Sequence, residues 1–158
     1  MYKRALVTLD GSDLAEAILP FITEIAGPLD MEVVLLRVVH PVPPQVVEGS
    51  RHVVLEDVEG RLAEAREYLR PLAARLGARG VRVRSEVRHG DTVTQIIDCA
   101  KAVGADLIAM TTHGRGGLGR LLFGSVAEAV LRHAEIPVFL MRLTKSQMRT
   151  RGAPEPAR

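Results

Sequence analysis

The residues of this chain best suited to chemistry gather in the stretch Ala105-Asp-Leu-Ile-Ala-Met110-Thr-Thr-His-Gly114-Arg-Gly-Gly-Leu-Gly-Arg-Leu-Leu-Phe-Gly124-Ser125. An apolar run leads through Met110, Thr111, Thr112 and His113 into a loop with glycines at 114, 116, 117, 119 and 124, and then into a helix pattern. Glycines let a backbone approach a ligand without a Cβ in the way, and the first amides of a helix add hydrogen bonds and about half a positive charge. A phosphate is the natural guest of such a loop. Arg115 and Arg120 bring mobile positive charge over it, although Arg120 reads equally well as a solvated loop residue. Ser125 and Glu128 have the spacing of a capping box, so Ser125 is expected to start its helix, to contact phosphate, or to do both.

Two better-known phosphate motifs do not fit. Gly114, Gly116 and Gly119 spell G-x-G-x-x-G, and Glu135 lies further on where a dinucleotide-binding fold keeps its ribose-binding acid. In that fold, however, the glycines occupy the first strand-to-helix turn and the acid ends a strand, whereas here the helix starts near Ser125 and Glu135 precedes a strand. A Walker A loop is excluded because no Gly-Lys-Ser/Thr follows the glycines. The histidines, at 40, 52, 89, 113 and 133, form no metal-spaced cluster, and His113 has no identifiable acid partner for general-base work. Cys99 reads as a small core-edge residue rather than a nucleophile, and no Gly-x-Ser-x-Gly elbow exists.

The elements that must position the loop follow from periodicity. Five apolar strands are expected, at 4–9, 32–39, 81–87, 105–111 and 136–141, most of them nearly continuous in Val, Leu and Ile, as in a parallel sheet covered on both faces. Between them, apolar residues at three- and four-residue spacing predict helices: Leu14 to Ile25, Val58 to Leu76, Val93 to Val103 and Ala127 to Ala134. Pro20 is expected to kink the first. Right-handed crossovers then give an α/β fold with a doubly wound five-stranded parallel sheet and helices on both faces. The proline-rich segment 40–52 is long for a βα connection and reads as a lid or partner-binding loop.

The order Thr111-x-x-Gly114-x9-Gly124-Ser125, between Asp106-Leu-Ile-Ala-Met110 and Val126-Ala-Glu-Ala-Val130, resembles the nucleotide motif of the universal stress protein family, Gly-x2-Gly-x9-Gly-Ser/Thr. The resemblance runs over roughly residues 2 to 142, with Val7-Thr-Leu-Asp10-Gly-Ser12 as the first strand and turn and Ile136-Pro-Val-Phe-Leu-Met141 as the closing strand. It implies strand order 3-2-1-4-5, which would set Asp10 and Gly114 across the switch crevice. Resemblance to the ATP-binding branch implies phosphate contacts at Gly114, Arg115, Gly124, Ser125 and Val126, adenine against Leu9 and Val38, and the nucleoside anchored by Asp10. Met110, Thr111, Thr112 and His113 complete the expected site. One departure stands out: Thr111 occupies the motif's first glycine position. If its Cβ faces the ligand, affinity falls; if it faces the core, little changes. The implied ligand is ATP or AMP, with any Mg²⁺ held mainly by the phosphates.

Composition bounds the rest. At 158 residues and 47% hydrophobic, the chain suits one domain, placed at 1–142. The pI of about 9.0 comes from the end: residues 143–158 carry net +3, against −1 for residues 1–142. That basic stretch reads as a disordered tail. With 3% aromatic residues there are few platforms for stacking bases, so nucleic acid is not an expected partner. No apolar run suits a membrane span, and a single cysteine fits a reducing cytoplasm. The uncharged last strand is expected to pair with its copy in a homodimer, as the family resemblance also implies. Three classes result: a nucleotide-binding stress-response or regulatory module, an enzyme of nucleotide chemistry with at most weak ATP hydrolysis, or a ligand-free dimeric scaffold.

Overall fold

The computed structural model describes residues 2–42, 45–46, 53–54, 57–112 and 124–142. The chain runs β1 (Arg4–Leu9), α1 (Asp13–Glu16), α2 (Leu19–Ala26), β2 (Glu32–Val39), the short strands β3 (Gln45–Val46) and β4 (Val53–Val54), and α3 (Val58–Gly77). It continues with β5 (Arg82–His89), α4 (Thr92–Val103), β6 (Leu107–Thr112), α5 (Ser125–His133) and β7 (Val138–Arg142). The five long strands form one parallel sheet in the order β5-β2-β1-β6-β7, which is 3-2-1-4-5 when only these strands are counted. Gln45 and Val46 pair antiparallel with Val54 and Val53, within and beside the proline-rich segment; the rest of 43–52 lies outside the described residues, as do 143–158.

Strand residues alternate between two faces, and each face is covered by its own helices. Ala5, Val7 and Leu9 of β1, with Val33 and Leu35 of β2, pack under α2 and α3 through Leu19, Ile22, Leu69 and Leu72. Leu6, Val34, Leu36, Ile108 and Met110 point the other way, onto Ile96, Cys99 and Val103 of α4 and Ala127 and Val130 of α5. Burial of Ala5–Val7 and of Val33–Leu36 on both sides is why β1 and β2 read as nearly continuous apolar runs.

The first helix is not one kinked rod. Its N-terminal piece stops at Glu16, the chain turns through Ala17 and Ile18, and α2 restarts at Leu19 with Pro20 in its first turn. A proline there sacrifices no helical hydrogen bond, so the sequence breaks where a kink is expected. Pro71 sits inside α3 on its exposed side, and the helix continues past it.

The two sheet edges differ in kind. Arg82, Arg84, Glu86, Arg88 and His89 charge the β5 edge, with Arg82 bridged to Asp30 and Arg84 to Glu32. Val138, Phe139 and Leu140 leave β7 apolar and half-buried. Among the described residues β7 carries a single charge, Arg142 at its end, whereas charge runs along the whole of β5.

Candidate functional site

Adjacent strands β1 and β6 send their following helices to opposite faces, α1 and α2 to one and α5 to the other, so their C-terminal ends part to open a crevice. A cavity of about 460 Å³ occupies it. Leu9 and Asp10 reach it from β1, Val38 from β2, Met110 and Thr111 from β6, and Gly124, Ser125 and Val126 from the start of α5. Thr112, 2% exposed, is buried in β6 and is not a lining residue. His113, Gly114 and Arg115 fall, with the rest of 113–123, outside the described residues.

Each wall has a local cause. At the end of β1, Asp10 Oδ1 accepts hydrogen bonds from Ser12 N at 2.9 Å and from Ser12 Oγ at 2.5 Å, while Ser12 Oγ accepts from Ala15 N at 3.1 Å to cap α1. Gly11 takes φ +87°, which the tight reversal demands and other residues rarely adopt. Asp10 thus both braces the turn whose Ser12 caps α1 and stands on the cavity wall.

The start of α5 is built differently from those of α1, α3 and α4. Ser12, Asp57 and Asp91 supply a side-chain oxygen to their helices, at Ala15, Gly60 and Thr94 respectively. In α5 the cap is Gly124, and no side chain among the described residues bonds to the exposed amides. Ser125 is the first helical residue, one position too late for the expected capping box; the Glu128 N–H bonds to the Gly124 carbonyl at 2.9 Å. The uncapped N–H groups belong to a turn whose residues line the cavity, which is the geometry an anion requires.

Thr111 is 8% exposed and, by alternation, shares the Ala109 side of its strand, toward α1. It meets the cavity beside Ala15 and Asp10 rather than from the face that carries α5.

Sequence reasoning did not anticipate Thr8, Ala15, Leu36, Arg37, His40, Thr92, Ile96 and Ala127 on the wall. Leu36, Ile96 and Ala127 had signals, since they belong to the same apolar stripes as expected core residues. Arg37 had none. Its guanidinium lies 5.8 Å from the centroid of the Tyr68 ring, a contact between residues distant in sequence. Tyr68 in turn donates to Glu16 Oε1 at 3.0 Å; burial, then this hydrogen bond, pushes its phenol well above the ordinary value. Cys99 is buried in the α4 face, and desolvation raises its thiol, so it is a core residue. Among the described residues no cluster of three or more metal-ligating side chains occurs, and no helix is long and apolar enough to cross a membrane.

The wall is largely aliphatic, through Leu9, Leu36, Val38, Ile96 and Met110, with the Asp10 carboxylate and the α5 amides, which no described side chain caps, at separate points. A flat apolar ring with a polar, anionic arm matches that division.

The sequence matches the universal stress protein family over residues 1–142. A universal stress protein of Methanocaldococcus jannaschii is 33% identical over 150 residues, covering 93% of this chain and 86% of that protein. The solved universal stress protein of Archaeoglobus fulgidus in complex with dAMP is 25% identical, with a TM-score of 0.63 over 88% of this chain and 97% of that one. A universal stress protein solved in complex with cAMP shares the fold at a TM-score of 0.67, with 23% identity, covering 90% of this chain and 98% of that one.

Proposed function

The chain belongs to the universal stress protein family, and from that premise we propose that its crevice binds an adenine nucleotide, ATP or AMP, in a cytoplasmic homodimeric module of stress response or regulation. The observation that carries this reading is the meeting, in one cavity of about 460 Å³, of the uncapped start of α5 with the Asp10 turn and an aliphatic wall. The dAMP complex of the Archaeoglobus fulgidus relative supports adenine as the base.

In this reading the phosphates take the amides of Gly124, Ser125 and Val126, with Gly114 and Arg115 contributing from the glycine loop. The base packs on Leu9 and Val38, Asp10 holds the nucleoside, and Met110 and Thr111 close the wall beside Thr112 and His113. Backbone N–H groups hold an anion without offering a base or nucleophile, so the site is built for retention more than turnover. Mg²⁺ enters with a triphosphate and stays mainly on its oxygens. One domain, residues 1–142, carries the whole site.

Calorimetry with AMP, ATP and GTP in the presence of Mg²⁺ tests it. Saturable heat with an adenine nucleotide is expected, weaker with GTP. No heat and no thermal shift with any of the three at millimolar ligand would overturn the reading.

A further inference from the structure

A second cavity, of about 110 Å³, lies beside the starts of β6 and β7, at the end of the sheet away from the nucleotide crevice. No described residue lines both. Its floor is aliphatic: Ile97 and Ala100 of α4, Ile108 of β6 and Ile136 ahead of β7, all part of the core cluster on this face of the sheet. An engineered aliphatic cavity of ~150 Å³ accepts benzene. The smaller volume here suits a branched side chain of three or four carbons and falls short of an aromatic ring.

The mouth is charged, and with both signs. Lys101 of α4 and Glu135 of the turn after α5 line the cavity, with Nζ 3.1 Å from Oε1. Their side chains are 59% and 77% exposed, so the pair lies in solvent and parts at little cost. Two helices also end there. Gly104, in the left-handed conformation at φ 62°, closes α4, Ala134 closes α5, and both line the cavity. The negative ends of the two helix dipoles therefore favour a cation on the Glu135 side of the mouth, while Lys101 offers the place for an anion.

An aliphatic cavity with a carboxylate and an ammonium side by side at its rim complements a ligand that carries a branched side chain, an ammonium and a carboxylate on one carbon. A peptide presents only one of those two charges at either end. We propose that this cavity binds a free aliphatic amino acid of valine to leucine size. The side chain enters the cavity, the α-ammonium meets Glu135 and the helix ends, and the α-carboxylate meets Lys101, so that the ion pair opens and closes again through the ligand. The site stands apart from the nucleotide reading of the crevice and does not depend on it.

Titration of the full chain with L-leucine, followed by ¹⁵N–¹H NMR, tests the proposal. Saturable shifts are expected at the Gly104, Ala105 and Ala134 amides at millimolar ligand. Three analogues each remove one element: glycine the side chain, isopentylamine the carboxylate and 4-methylpentanoate the ammonium. Each should bind at least about tenfold more weakly than leucine. Lys101→Gln and Glu135→Gln, at exposed positions, should each weaken leucine about tenfold, the loss of one charge-assisted bond. Ala134→Leu should abolish the response by filling the cavity. Silence at the three amides with leucine, isoleucine and valine overturns the proposal. So does an analogue that binds as well as leucine, or a leucine response unchanged in folded Lys101→Gln and Glu135→Gln. A leucine response at these amides beside silence toward AMP at Ser125 and Val126 counts against the nucleotide reading and supports this one.

Discussion

The Tyr68 hydroxyl donates to Glu16 Oε1 at 3.0 Å across 52 residues of sequence, tying α3 to α1, whose Ala15 stands on the wall of the crevice. Tyr68→Phe removes that bond without emptying the space and is expected to cost about 1 kcal/mol in urea unfolding. Because burial and Glu16 hold the phenol protonated, the native state keeps a proton that an unfolded tyrosine releases near 10.0. This raised value supplies stability that is fully present below pH 10 and is lost as pH rises beyond it. The alkaline fall in stability should therefore be shallower in Tyr68→Phe than in the wild type.

At the other end of the sheet, Asp106 Oδ2 accepts from Lys3 N at 2.7 Å and Arg4 N at 2.9 Å, joining the start of β6 to that of β1. These two amide bonds hold the carboxyl below the usual aspartate range. The contribution is present above about pH 4 and lost as pH falls through the depressed value. Asp106→Asn should flatten the acid limb of the stability curve while costing well under about 1 kcal/mol at neutral pH, because solvent screens the group.

Gly124→Asp should move stability and binding in opposite directions. Gly124 has φ −68° and ψ 156°, ordinary extended backbone that any residue adopts, so a side chain there strains nothing. An aspartate would cap the α5 amides that no described side chain reaches and gain a few tenths of a kcal/mol. The same carboxylate would occupy the proposed phosphate position and repel the ligand, cutting adenine-nucleotide affinity at least about tenfold. Thermal melts and calorimetry on one preparation read both. Gly124→Val should weaken binding by bulk alone, and Thr111→Ala, on the α1 side, should leave affinity within about twofold. Unchanged affinity in folded Gly124→Asp would mean that phosphate does not sit at α5.

How much of this was legible depends on what each residue reports about itself. β1 and β2 begin and end where the sequence predicts, because burial on both faces makes them continuous apolar runs. The β5 strand runs on to His89, two residues past its apolar pattern, because the ladder to β2 continues through Arg37↔Val87 to Val39↔His89 regardless of side chain. The break at Ala17 and Ile18 was hidden: both are buried, so the helical spacing passes through the turn unbroken. The cap of α5 was misplaced by one residue, since a glycine cap has no side chain to announce it. Eight of the expected site residues meet at the crevice because strand ends and helix starts are encoded locally. Arg37 and Tyr68 meet only through the packing of α3 on β2, which no local pattern records.

The remaining expectation concerns assembly. In β7, Val138, Phe139 and Leu140 form an apolar edge that no described strand pairs, while β5 at the opposite edge is charged. Phe21 and Ile25, four residues apart on α2 and 37% and 36% exposed, extend apolar surface on the face to which Phe139 also packs. Two copies pairing β7 to β7 about a two-fold axis would cover both strips and leave only charged edges outside, a closed arrangement. Sedimentation equilibrium at tens of micromolar should give a dimer for the wild type. Phe139→Glu puts a charge at the centre of the strip and should shift the chain to monomer with its circular dichroism intact, whereas a charge change on the opposite edge, Arg84→Glu, should leave the dimer in place. A wild-type monomer, or a dimer indifferent to Phe139→Glu in a folded chain, would rule out β7 as the interface.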